Sequence, residues 1–366
     1  MLFNVKGFHA TTSSCNFAKT NTKMKKLVLL SVMVIAIIGV GCHKSKTGAP
    51  QATDVKPAEK AVDIKILRFD RDLAALNVNN LAPSIPILRN KYGSFIDLYS
   101  DGILGIGKTS DPEYLKGLHA FLTYPVVREA FSATSKTFTP EVISSIEKEL
   151  SSAFTLYKGT FPNKTIPKIF FTYVAGFNQS VMITDDALGI GLDKYLGDKY
   201  VNYPNLGFPR YLTAKMVKER IPVDVVYAWA NSDFPIRKES EPLLSHIVYQ
   251  GKLMYLVSQM LPDATDTLVF GFTKKQMKWC KKNEKMMWEY LVGQSLLFNS
   301  ESFVRTKFID EAPFTNVFST DSPGRAAVWQ GFRIVSSYMR NTKSTLADLM
   351  KENDFQKILT AAKYRP

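Results

Sequence analysis

The apolar positions of this chain fall into zones with different spacings. Leu27 to Val40 is an apolar run of 14 residues. Residues 43–61 (HKSKTGAPQATDVKPAEKA) then hold almost no large apolar side chain. Asp63–Asp70 (DIKILRFD) alternates as a strand does, and helical spacing follows over Ser84–Leu98 and Pro112–Leu122. A longer helix opens at Thr139-Pro140-Glu141 and runs through Tyr157, with Thr139 as N-cap and Pro140 at the first helical position. The period shortens at Lys168–Val174 (KIFFTYV), Val181–Thr184 and Leu188–Leu192, three strands with turns at Gly176–Asn178 and Asp185–Asp186. After Tyr211 the chain is helical almost to its end, most strongly over Glu241–Leu261, Thr273–Phe298, Gly324–Arg340 and Asp354–Lys363. There is no internal repeat and no second linker. The pattern predicts an α+β fold: one mostly helical domain over residues 63–366, with a small sheet of three to four strands.

The first apolar zone is too short to span a bilayer, which takes about 20 residues. Lys25 and Lys26 precede it, and Gly39, Val40 and Gly41 lead into Cys42. A basic start, an apolar stretch and small residues before a cleavage point make a secretory signal. The cysteine directly after them makes residues 24–41 resemble a bacterial lipoprotein signal, with Cys42 as the lipidated first residue of the mature chain. Gly39 stands where leucine is usual. Residues 1–23 precede the Met24 start of this signal, carry no acidic residue, and read as an upstream extension. Residues 42–62 read as the lipidated cysteine and its tether.

Composition changes this picture in three ways. A 45% hydrophobic and 12% aromatic chain suits a buried core and argues against disorder. Net charge is +14, of which Lys6, Lys19, Lys23, Lys25 and Lys26 precede Cys42, leaving +9 on the mature chain. A basic surface on an exported protein points to anionic envelope material and away from nucleic acid. With Cys15 upstream and Cys42 acylated, Cys280 is left alone, so no intrachain disulfide is expected.

Candidate chemistry is sparse. Gly102–Thr109 (GILGIGKT) matches the phosphate-loop pattern, in which backbone N–H groups and a lysine cradle phosphates. Pro112 would fall in the second turn of the helix that must follow, and no convincing strand precedes the loop, so a surface loop without ATP is expected. His246 opens HIVYQ on the Glu241–Leu261 helix. A zinc protease would read H-E-x-x-H, with the glutamate activating water and the second imidazole holding the metal. Ile247 and Gln250 occupy those two positions, so no metal or catalytic residue is expected there. Lys274, Lys278, Lys281 and Lys282 crowd the start of the Thr273–Phe298 helix, opposite Met277, Cys280, Met287, Trp288 and Leu291. Such a run is ordinarily a solvated face; as a site it would contact anionic lipid or an acidic partner. In Asp321–Arg340 the Ser322-Pro323-Gly324 turn enters a helix whose Ala326, Ala327 and Gly331 allow close packing. Arg325 at its start is placed to offer a guanidinium to an anionic group.

Three segments taken together resemble a known family: residues 168–197 (KIFFTYVAGFNQSVMITDDALGIGLDKYLG), 246–262 (HIVYQGKLMYLVSQMLP) and 322–339 (SPGRAAVWQGFRIVSSYM). With the signal before Cys42 they are similar to the gliding motility lipoprotein GldB family of Bacteroidetes, over most of the chain from about Asp63 onward. The same segments are similar to predicted zincin-like metallopeptidases, which would make this a degenerate zincin-like fold whose metal motif has become HIVYQ. The resemblance implies a component needed for gliding motility and associated with type IX secretion, with protein partners in that apparatus, no cofactor and no established catalytic activity. Surface-exported lipoproteins of that phylum usually carry an acidic tag after the cysteine. Lys44 and Lys46 stand there instead, which favours an envelope anchor facing the periplasm. Two other classes stay open: a divergent hydrolase using His246, and a module that binds envelope polymers or lipids through the basic helix.

Overall fold

The computed structural model describes residues 49–236 and 241–366. Strands β1 (Ile66–Arg68), β2 (Ile169–Tyr173), β3 (Val181–Ile183) and β4 (Ala187–Gly191) form one sheet in the order β1-β2-β4-β3. β1, β2 and β4 are parallel, with Ile66 opposite Phe170 and Phe171 opposite Gly189; β3 is the antiparallel edge. A parallel pair needs a long crossover. Between β1 and β2 the chain supplies α1 (Phe69–Ala74), α2 (Ser84–Tyr92), α3 (Tyr114–Thr123), α4 (Pro125–Thr137) and α5 (Pro140–Thr160). The expected mostly helical α+β architecture is the one observed.

Alternation along β2 divides the interior. Phe171 and Tyr173 point to a small aromatic core with Phe69, Phe95 and Tyr99. Phe170 joins the main core with Phe154, Leu188 and Ile190. The main core is built on the later helices: α6 (Ile221–Asp233), α7 (Leu243–Met260), α8 (Lys274–Lys282), α9 (Glu284–Gly293), α10 (Ser302–Ile309), α11 (Ala326–Thr342), α12 (Leu346–Lys351) and α13 (Phe355–Ala362). A helix that is apolar on all sides belongs in the centre, and every residue of α7 except Gln250 is buried. It crosses α11 where Gly251 meets Gly331. A Cβ on Gly251 would lie 2.3 Å from the Gly331 carbonyl, and one on Gly331 would lie 1.9 Å from Ile247 O. Only two glycines let these backbones touch.

Four local departures from the sequence expectation have physical causes. β1 is short because Phe69 already starts α1, held by the ion pair of Arg68 with the buried Asp70 at 2.6 Å. The expected Thr273–Phe298 helix breaks at Asn283, whose side-chain amide donates to Trp279 O at 2.8 Å in competition with the backbone. α11 starts at Ala326 because Arg325 is left-handed, with φ 61°. Residues 49–62, read as part of a tether, are fastened to the body. Ala52 N donates to Gln259 Oε1 at 2.9 Å, and Tyr255 OH donates to Pro50 O at 2.5 Å. Asp54 accepts from Leu346 N (2.7 Å) and Ala347 N (3.1 Å), capping α12. The amides of Val62, Ile64 and Ile66 then bond in turn to Thr155, Ser151 and Glu147 along α5.

The phosphate-loop-like segment lacks the strand-loop-helix setting. A π-helical turn, Leu98–Ile103, runs into its start, and the Asp97 carboxylate accepts from Thr109 N (2.9 Å) and Oγ1 (2.7 Å), with the next helix starting only at Tyr114.

Candidate functional site

Gln250, the exception on α7, faces a cavity of about 190 Å³ lined also by Arg220, Asp224, Tyr227, Asp310, Glu311 and Arg325. The fold thereby joins two features that lie 75 residues apart in the sequence, HIVYQ and the arginine before α11. Gln250 Oε1 accepts from Tyr227 OH at 2.7 Å, so the position where a zinc helix would carry its second histidine is occupied by a neutral hydrogen-bonded pair. His246, one turn earlier, is buried.

Two ion clusters wall the cavity. In the first, Glu311 accepts from Lys215 Nζ at 2.7 Å and from Arg325 at 3.0 Å. Burial pushes the Glu311 carboxyl up, but the two cations outweigh it and hold it down at about 2. Burial pulls the Lys215 ammonium below its ordinary value against the attraction of Glu311. In the second, Arg220 Nε donates to Asp224 at 2.8 Å, and Tyr195 OH donates to the other carboxylate oxygen at 3.1 Å. Arg220 also donates to Val269 O at 2.9 Å and to Leu268 O. Burial raises Asp224, against the pull of Arg220.

The local sequence explains Arg325. Gly324 lies where a Cβ would be 2.0 Å from Ala312 O, and Thr315 Oγ1 donates to Pro323 O (2.8 Å) and accepts from Ala326 N (3.1 Å). This pins the turn and aims the Arg325 guanidinium inward at Glu311, not outward to solvent. The first cluster ties the loops before α6, after α10 and before α11 to one another. Among the described residues, no group of three or more His, Cys, Asp or Glu side chains is arranged to hold a metal ion.

The other candidates lie apart. Lys274, Lys278, Lys281 and Lys282 are exposed on α8, with Met277 and Cys280 buried beneath. Lys281 pairs with Asp266 at 2.8 Å. Cys42 and the signal 24–41 fall outside the described residues. Sequence reasoning missed Lys215, Arg220, Asp224 and Glu311. The readable signals were the i,i+4 spacing of Arg220 and Asp224 and a carboxylate set in the apolar run PVDVVYAWA.

The fold and site thus define a mostly helical α+β domain built round one buried helix with a charge-compensated polar cavity on its flank. Among the described residues no helix is long and apolar enough to cross a membrane. Residues 49–366 match the family described as Gliding motility protein GldB, and the chain belongs to that family. No curated protein and no solved structure gives a match. The expected similarity to zincin-like metallopeptidases finds no support in these comparisons.

Proposed function

We propose that this protein serves gliding motility as a lipid-anchored envelope component, held through Cys42 and facing the periplasm. Residues 24–41 are its signal and residues 1–23 an upstream extension. It acts by binding protein partners of the gliding apparatus, in association with type IX secretion, and not by catalysis. The observation that carries the reading is the family match across residues 49–366. Further support comes from the lipoprotein-type signal, and from HIVYQ, where Gln250 is engaged with Tyr227. The exposed lysines of α8 are a candidate contact for an acidic partner.

A chromosomal deletion, scored for colony spreading and for export of secreted proteins, tests the role. The deletion abolishes spreading and lowers export, the Gln250→Ala gene restores both, and the Cys42→Ala gene restores neither. Full spreading without the gene would refute the motility role, and rescue by Cys42→Ala would refute the anchor. Stoichiometric zinc in the purified protein would favour a hydrolase.

A further inference from the structure

On the other flank of α7 lies a larger cavity of about 470 Å³, within the size range of small-molecule sites. Phe161, Pro162, Phe234, Pro235, Tyr249 and Met350 supply its apolar walls, with the Phe161 and Phe234 rings 5.2 Å apart. Among the described residues its charged lining residues are Lys164, Lys252 and Lys351, and no acidic side chain lines it.

Lys252 is the informative one. It is 2% exposed, in the middle of the buried helix. Its ammonium donates to Met350 O (3.3 Å) and Glu352 O (2.6 Å) at the C-terminal end of α12, and sits 5.6 Å from the Phe355 ring centre. Carbonyl oxygens and a ring face soften a buried cation but do not neutralise it. An ammonium has three donors, and two are used among the described residues. Lys164, at the rim, is by contrast neutralised by Asp233 at 2.8 Å. The cavity therefore combines apolar walls with one desolvated positive charge that, among the described residues, has no carboxylate in hydrogen-bond contact, Glu352 acting on it only from a distance.

We infer that this cavity is a binding site for a small amphiphilic carboxylate, its apolar body lying against the contacting Phe161 and Phe234 rings and Met350 and its carboxylate on Lys252. A carboxylate supplies the missing counter-charge, and a medium-length alkyl chain suits walls of this kind. The site is separate from the motility role and from the cavity at Gln250.

Calorimetric titration of the purified protein with decanoate, decanol and inorganic phosphate tests this. Decanoate binds saturably with one molecule per protein; decanol and phosphate each bind at least about tenfold more weakly. Lys252→Met lowers decanoate affinity about tenfold or more, and Lys164→Met lowers it less. Decanoate affinity falls as the pH rises through about 8, to which burial draws the Lys252 ammonium against the support of Glu352, with Lys164 and Lys351 as the other cations lining the cavity. Equal binding of decanol and decanoate, phosphate binding as tight as decanoate, or no saturable binding would each overturn the assignment. These comparisons use the unmodified protein, so they decide the matter even if Lys252→Met fails to fold.

Discussion

The crossing of α7 and α11 permits a sharp test of the fold, because two effects of one added methyl have opposite signs. In Gly331→Ala the new Cβ would sit 1.9 Å from Ile247 O, whereas ordinary contact begins at 3.4 Å. The obstacle is backbone, so no rotamer change relieves it, and the helices must separate by about 1.5 Å. Overpacking typically costs about 1–3 kcal/mol, and a main-chain obstacle belongs at the upper end, about 3 kcal/mol. Alanine returns about 1 kcal/mol through helix propensity, leaving a net loss of about 2 kcal/mol. Gly251→Ala behaves similarly, and the double variant loses less than the sum because the first substitution has already moved the helices apart. Gly293→Ala, at the end of α9 with nothing within 4 Å, is the control and is neutral or stabilising. Urea unfolding at neutral pH, followed by fluorescence of the buried Trp229 and Trp329, gives these values. A Gly331→Ala protein as stable as the parent would refute the close crossing.

Glu311→Gln leaves Lys215 and Arg325 without their carboxylate and lowers stability by about 3–5 kcal/mol at neutral pH in urea titrations. The Glu311 carboxyl is depressed from 4.5 to about 2 in the folded protein. Its contribution is therefore present above pH 4.5 and lost as the pH falls through about 2, and a pH series of unfolding curves loses that component in the variant. Asp54→Ala removes the acceptor for the first amides of α12, costing about 1 kcal/mol and speeding hydrogen exchange at Leu346 and Ala347. Lys278→Glu and Lys282→Glu, on the exposed face of α8, each change stability by no more than about 0.5 kcal/mol in thermal melts.

Where local chemistry decides structure, the sequence could be read. The Thr139–Pro140 helix start is an example: Thr139 caps α5 and Pro140 opens it. The central helix was legible because its apolar residues leave no polar face. What stayed hidden depends on distant partners. Nothing near Glu311 announces Lys215, 96 residues away, and Asp54 caps a helix 292 residues further on. Arg325 was legible as a guanidinium offered to an anionic group, but not that the group is Glu311, since its left-handed backbone follows from Gly324 against Ala312 and from Thr315. Lys252 carried a readable sign that went unused: a lone lysine inside GKLMYLVSQM must either snorkel or find acceptors, and here carbonyls at the end of α12 receive it.

The fastening of residues 49–62 has a geometric consequence for the proposed anchor. With Cys42 acylated, seven residues separate the lipid from Ala49, and such a stretch reaches at most about 25 Å. On that proposal, so short a leash would keep the Pro50–Asp54 side of the body nearest the bilayer. Thr160 and Ala347, at the rim of the lysine-bearing cavity, adjoin the points where that stretch is moored, Gly159 beside Lys56 and Ala347 on Asp54. On the proposed anchor, the mouth of the cavity would lie on the membrane-facing side of the body.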